Sequence, residues 1–391
     1  MAPSDFLFIH PLLGVDDSWS GYRAELTGTA GDITLKQLTE SPLVADFDQR
    51  HPWLLPVTAA PYPPARLDKR AVFVFPARPA TAEAAALAAR EAELRKAQCD
   101  VGLTTAAEVP LPATGAWNYL LLTASLARSQ PPFKLHGLST RSTLVATDVH
   151  SHADRQWFLD NACTLSTGEF LLARGTAPNR ADTTRIKLLE LLGLIAEDAD
   201  TAALESVFRQ ESKLSYSLLR LVNSAAMAPP KPITSFSQAI NLLGRRQLQR
   251  WLQLLVYADP NNGHQPNPLL QKAAARGHLL ENLAPQLKSR PALDNLEDAA
   301  FMVGSFSLLN VLLHMSMPEI MHQLPLAPEV AAALTEHAGP LGELLGAIQA
   351  AEVRDLAAAS TKLARLGIEP GRHLDAQLAA LGWAAKIRPP N

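Results

Sequence analysis

Two histidines and an aspartate, His150, His152 and Asp154, lie close enough in the chain to share a divalent cation. On a strand, residues i and i+2 project to one face, so both imidazoles would reach the same ion with the carboxylate nearby. The competing reading is a strand end and helix start carrying exposed histidines. Glu25 offers another carboxylate, read either as a ligand or as a surface or paired acid. His278, His314, His322 and His337 are scattered among apolar residues, and because a metal needs a closed ligand set they read as core or surface side chains. Gly244 followed by Arg245, Arg246 and Arg250 has the outline of a DNA-reading helix-turn-helix. Trp251 and Leu252 commit that same helix to a core, which leaves the arginine trio as a solvated helix end. Cys99 and Cys163 show neither CxxC nor Cys/His spacing, so they read as reduced thiols rather than a disulfide framework or zinc site. No GxSxG elbow, Walker lysine loop or glycine fingerprint after a strand occurs.

The elements that would position these residues fall into two kinds. Short β-like runs fill the first part: Phe6 to His10, Gly21 to Leu26, Ala71 to Phe75, Val101 to Thr104, Tyr119 to Thr123, Ser142 to Val149 and Glu169 to Ala173. Helical runs at Ala82 to Gln98 and His152 to Cys163 separate some of them, which predicts a mainly parallel sheet with covering helices, an incomplete barrel. Seven prolines between Pro52 and Pro79 read as surface loops. The polar stretch ARGTAPNRADTT, from Ala173 to Thr184, marks a domain boundary, and beyond it the pattern is helical. The predicted domains are 1–178 and 179–391.

The run from Leu204 to Tyr257 organises the second domain. Leu214, Leu218, Leu221 and Val222 recur at helical spacing before Pro229, Pro230 and Pro232 break the run. Ser235 and Gln238 have the spacing of a capping box opening a second helix, Gly244 stops it, and Leu248, Trp251, Leu252 and Leu255 stripe a third. A last short amphipathic helix carries Leu374, Leu378, Leu381 and Trp383.

At 391 residues with 47% hydrophobic and 19% charged side chains, the chain has the profile of a globular protein of two domains. A formal net charge of −3 gives no basic bias toward nucleic acid or a membrane surface. Ala299 to Met317 holds no charged residue, close to the length of a bilayer span. Ser305, Ser307, Asn310, His314 and Ser316 interrupt it, so it is expected to be a buried helix, with the protein cytoplasmic and not membrane-bound.

The segments LLRLVNSAAM, ITSFSQAINLLG and RRQLQRWL closely resemble the HDOD domain, the HD-related output domain of bacterial signalling proteins. In the first half, PLLGVDDSWSGYRAEL resembles the opening β-hairpin of EAL domains, the metal-dependent fold that linearises cyclic di-GMP. Ser142 to Ser151 and LSTGEFLLARG resemble later parts of the same domain. The resemblance implies an α/β N-terminal domain, an incomplete and degenerate EAL-like barrel, followed by an all-α C-terminal HDOD domain.

It also implies which positions would hold metal, and there the chain departs from the pattern. The family's first ligand glutamate falls on Arg23, its aspartate pair in Gly102 to Thr105, and its lysine-and-aspartate strand on Tyr119 to Thr123. The next glutamates fall near Thr147 and His150, and the terminal glutamine at Thr167. The HD superfamily's ligand dyad falls on Ser307 and Leu308, and no His-Asp dipeptide occurs. The expectation is a non-enzymatic regulatory protein with no catalytic, cofactor-binding or metal residue, acting through contacts with signalling proteins. A second reading keeps cyclic di-GMP as a ligand without hydrolysis. A third is an enzyme whose metal site has moved to His150, His152 and Asp154.

Overall fold

A computed structural model describes residues 5–173, apart from 29–31, 59 and 79–81. It further describes isolated positions between 192 and 233, and residues 236–387 apart from 258–266, 292, 294, 323 and 325. The chain divides into two units, the first comprising 1–173, 351–360 and 369–375, the second 174–350, 361–368 and 376–391.

In the first unit, short and mostly apolar runs build eight strands: β1 (Leu7–Leu13), β2 (Trp19–Leu26), β3 (Trp53–Pro56), β4 (Ala71–Pro76), β5 (Asp100–Thr104), β6 (Tyr119–Thr123), β7 (Thr143–Thr147) and β8 (Leu165–Ser166). They pair in sequence order and close, β8 returning to β1 through Leu13 and Ser166. The sheet is therefore a complete barrel, not the incomplete one expected. What is reduced is the outer layer: between β3 and β4 runs a 3-10 turn, Ala65–Arg70, and between β5 and β6 no helix occurs. The hairpin β1–β2 is antiparallel, and β2 through β8 are parallel.

Register decides which side chains look inward. Leu12, Leu54, Val72, Leu121, Val145 and Leu165, from six strands, form one buried cluster with Val74 and Tyr119 against it, which is the interior of a closed barrel. Arg23 is the direct partner of Leu54 and of His10, so both polar residues share that inward face. Two residues further along β2, toward the ends at which the parallel strands finish, stands Glu25. Outward-facing Trp53, Phe73, Leu120, Leu122 and Leu144 are buried as well.

Local expectations fared unevenly. The helices expected at Ala82 to Gln98 and His152 to Cys163 are Ala84–Lys96 and His152–Asp160. Glu169 to Ala173, expected as a strand, begins with a 3-10 turn, Glu169–Leu172. Two strands escaped the sequence: Trp53–Pro56 sits inside the proline-rich stretch, and Leu165–Ser166 is only two residues long.

In the second unit, every helix or strand among the described residues is helical. Helix Phe236–Leu255 is broken at Gly244, whose φ of 71° and ψ of 163° are open to glycine and costly for other residues. Ser235, the expected cap, and Leu214, Leu218 and Leu221 lie outside the described residues. Asn223 is described, and it closes the break after the first predicted helix: its side-chain amide donates to the carbonyls of Leu219 and Ile233, while its oxygen accepts from the Ile233 N–H. Helices Pro268–Leu283 and Leu296–Phe306 cross closely because Gly304 faces Gly277. A Cβ on Gly304 would stand 2.6 Å from the Arg276 carbonyl oxygen.

The charge-free run from Ala299 falls in two helices, Leu296–Phe306 and Leu309–Leu313, and reaches the start of a third, Met317–Met321; 56% of the window from Leu296 to Leu313 is buried inside the protein. It is the one stretch long and apolar enough to cross a membrane among the described residues, and the break at Ser307 and Leu308 fits a core helix.

Candidate functional site at the barrel mouth

Parallel barrels place ligands at the ends where their strands finish, because the loops there are free to vary around a rigid frame. Here that mouth is lined by charge. The Arg23 guanidinium donates to Glu25 through Nη2 to Oε1 at 3.0 Å, and Arg354 approaches the same Oε1 at 2.5 Å. His10 Nε2 lies 3.5 Å from the other carboxylate oxygen. Arg354 comes from residues 351–360, which group with the barrel in the first unit. Burial lowers the pKa of Arg23 from its ordinary value. Glu25 opposes this, Arg354 adds to it, and Glu169 and Asp148 also oppose. Glu169 is buried, and both Asp148 and Arg354 hold positive φ, 58° and 70°.

Around this cluster the strand ends carry threonine. Thr104 pairs with Leu121 of the interior, Thr123 pairs with Thr147, and Thr167 follows Leu165 by two residues, so all four look inward. Thr105 and Thr147 turn their hydroxyls onto the carbonyls of Leu121 and Leu122.

The positions singled out by sequence are only partly assembled. Arg23, Thr147 and Thr167 do face the mouth. His150 and His152 do not lie on a strand, since β7 ends at Thr147 and the next helix starts at His152. Both are exposed, and His152 packs edge-on to Phe170. Asp154 is engaged by Arg128 and by the Ser151 hydroxyl that caps the helix. Glu25 is the paired carboxylate that the ordinary reading anticipated.

In the second unit Ser307 receives Arg276 at 2.6 Å, and Leu308 is core. His278 lies 2.9 Å from Glu281, His337 bonds Gln349, His314 takes a left-handed helix end, and His322 is exposed. Arg246 pairs with Asp298 and Glu297, and Arg250 with Glu281 and Asp298, beside a polar cavity of about 400 Å³. Two arginines set among three carboxylates have no spare positive charge to offer a phosphate backbone, which weakens the helix-turn-helix reading. Cys163 is buried and Cys99 partly so, both as free thiols.

Sequence reading missed His10, Asp148, Glu169 and Arg354. His10 lies within β1, Asp148 just past β7 and Glu169 in the turn after β8, positions that only a closed barrel brings together. Arg354 has no local signal, lying 329 residues from its carboxylate partner.

The EAL resemblance implies divalent metal. Among the described residues no group of three or more His, Cys, Asp or Glu side chains is gathered to hold an ion. Glu25 is committed to two guanidiniums, and threonine hydroxyls are weak ligands for a hard cation. The residues of this mouth do not fit a divalent cation.

A closed α/β barrel followed by a helical region defines the class of protein. Residues 184–289 match the family model of the HDOD domain, and the chain carries that domain. It is 31% identical over 190 residues to the cyclic di-GMP phosphodiesterase CdgJ of Vibrio cholerae serotype O1, covering 49% of this chain and 43% of that protein. It is also 32% identical over 167 residues to the uncharacterized protein YuxH of Bacillus subtilis, covering 42% and 39%. The chain thus spans about two fifths of the length of these curated relatives. Among solved structures, the FimX EAL domain from Pseudomonas aeruginosa bound to c-di-GMP aligns with a TM-score of 0.30 at 12% identity, over 44% of this chain and 90% of that one.

The relative named a phosphodiesterase overturns the expectation that the chain is not an enzyme. That expectation rested on the residue types standing at ligand positions, and it left out Asp148 and Glu169, which keep acidic charge beside Arg23.

Proposed function

We propose that the chain works in cyclic di-GMP signalling, with the barrel mouth as the part that meets the dinucleotide and the HDOD domain as the part that contacts other signalling proteins. The observation that carries this reading is the Arg23, Glu25 and Arg354 cluster facing inward at the finishing ends of a closed set of strands. A cyclic dinucleotide brings two phosphodiesters and two flat bases, and buried guanidiniums are suited to the former. The name of the relative CdgJ supports the same ligand class.

The test is calorimetric titration of the full chain with cyclic di-GMP, with the linear dinucleotide measured in the same samples with magnesium or manganese added. Saturable binding near one dinucleotide per chain, or linear product rising with protein concentration, is the expected result. Neither heat nor product at dinucleotide concentrations up to about 100 μM, which corresponds to a binding free energy of only about 5.5 kcal/mol, would remove the reading.

A further inference from the structure

The two arginines of the mouth meet on a single carboxylate oxygen, and each keeps a donor in reserve. Nη1 of Arg23 and Nη1 of Arg354 are both closed off from solvent and have no hydrogen-bond partner. A guanidinium is a planar fork of five donors, and a buried charged donor left unmade is costly enough to need an explanation. The Thr167 hydroxyl is a third such group, 2% exposed and looking into the same interior, while Glu25 Oε2 and Glu169 Oε2 are acceptors left without a hydrogen bond beside them. One acid against two cations leaves positive charge at the centre. Glu169 and Asp148 offset it from further away, as their smaller influence on Arg23 indicates, and His10 flanks the free edge of Glu25.

We propose that Arg23 and Arg354 form a seat for a phosphate oxyanion, holding a phosphodiester or phosphomonoester by direct guanidinium contact with Thr167 Oγ1 as a further donor, and that Glu25 occupies this seat in the free protein. The idea rests on the reading of the mouth as the dinucleotide site and states how phosphate is held where the residues do not fit a metal. Glu25 Oε1 takes the Nη2 of each arginine and leaves both Nη1 donors unmade, and a phosphate, with more oxygens than a carboxylate, has acceptors to offer them. Because Arg354 is supplied by residues 351–360, the seat needs the distal part of the chain, and residues 1–173 alone lack half of it.

The experiment uses the full chain and the substitutions Arg354→Ala, Arg354→Lys and Glu25→Gln. The probes are cyclic di-GMP, inorganic phosphate and guanosine, read by calorimetry and by the shift in melting temperature. Removing a charge-assisted fork weakens cyclic di-GMP and phosphate roughly tenfold or more in Arg354→Ala. Lysine, a point charge without the fork, falls between. Glu25→Gln tightens phosphate binding by removing its competitor, an outcome that a purely structural ion pair does not give. Guanosine, lacking phosphate, is indifferent to all three. Dinucleotide and phosphate binding unchanged in Arg354→Ala overturns the seat while leaving the dinucleotide reading intact. Phosphate bound through Arg354 without cyclic di-GMP keeps the seat and removes that reading, and wild-type protein that binds neither removes both. Circular dichroism confirms folding of each variant, and failure of one leaves the sign of the other's effect decisive.

Discussion

Replacing Trp251 by alanine is expected to lower the unfolding free energy by about 3 to 5 kcal/mol, the cost of truncating a large aromatic in a packed core. The side chain is 1% exposed and lies on helix Phe236–Leu255 beside Leu248, Leu252 and Leu255, all buried. Its ring lies tilted at 50° against Trp383 with centroids 5.7 Å apart, and Trp383 in turn meets Phe301 and His278. Alanine would leave a hole lined by rings that cannot follow the backbone inward. Trp251→Phe should cost clearly less, because it keeps most of the contact and removes an indole N–H that is buried without a partner. Urea melts of the three proteins measure the difference. A change under about 1 kcal/mol for the alanine variant would place Trp251 at the surface and return Arg246 and Arg250 to the nucleic-acid reading.

Trp251 also illustrates what the sequence makes legible. A stripe at helical spacing reports burial without knowledge of the partner, so Leu248, Trp251, Leu252 and Leu255 were identifiable as core. The β1–β2 hairpin was likewise visible, its strands from their length and bounding turn residues and its pairing from the family resemblance. Strand β3 was not, since Trp53–Pro56 is flanked by prolines and draws its stability from parallel neighbours that are distant in sequence. Closure of the barrel depends on a β8 of two residues, too short to leave a pattern.

The site follows the same division. Arg23 could be singled out from its position in a family pattern, but its inward direction emerges only from its pairing with Leu54. That Arg354 meets Glu25 is a product of tertiary folding, with nothing near residue 354 to announce it. Inactivity was the one functional conclusion drawn from residue identities alone, and it did not survive comparison with a relative named as an enzyme.

A second large effect is expected from His373, which residues 369–375 bring into the first unit. Its ring is fully buried and packs edge-on to Phe6 at 5.6 Å and Phe8 at 5.1 Å. Burial lowers its pKa to about 4, a backbone hydrogen bond involving Leu7 opposing the shift. The unfolded histidine titrates near the ordinary value of about 6.5. As pH falls through that value the unfolded chain takes up a proton that the folded chain refuses. The stability that the neutral ring supports is therefore complete above pH 6.5, declines between pH 6.5 and 4, and levels off below. At 1.36 kcal/mol per pKa unit, the decline is about 3 kcal/mol. Asp48, held below the usual carboxylate range by Arg50, works in a lower window, and Asp100, raised by burial, is common to both proteins compared below. His373→Phe keeps an aromatic ring on Phe6 and Phe8 but cannot titrate, so it should flatten this part of the profile. Urea melts at half-unit steps from pH 7 to 4.5 supply the comparison, and equal slopes in the two proteins would show that His373 is protonated, or reached by solvent, in the folded state.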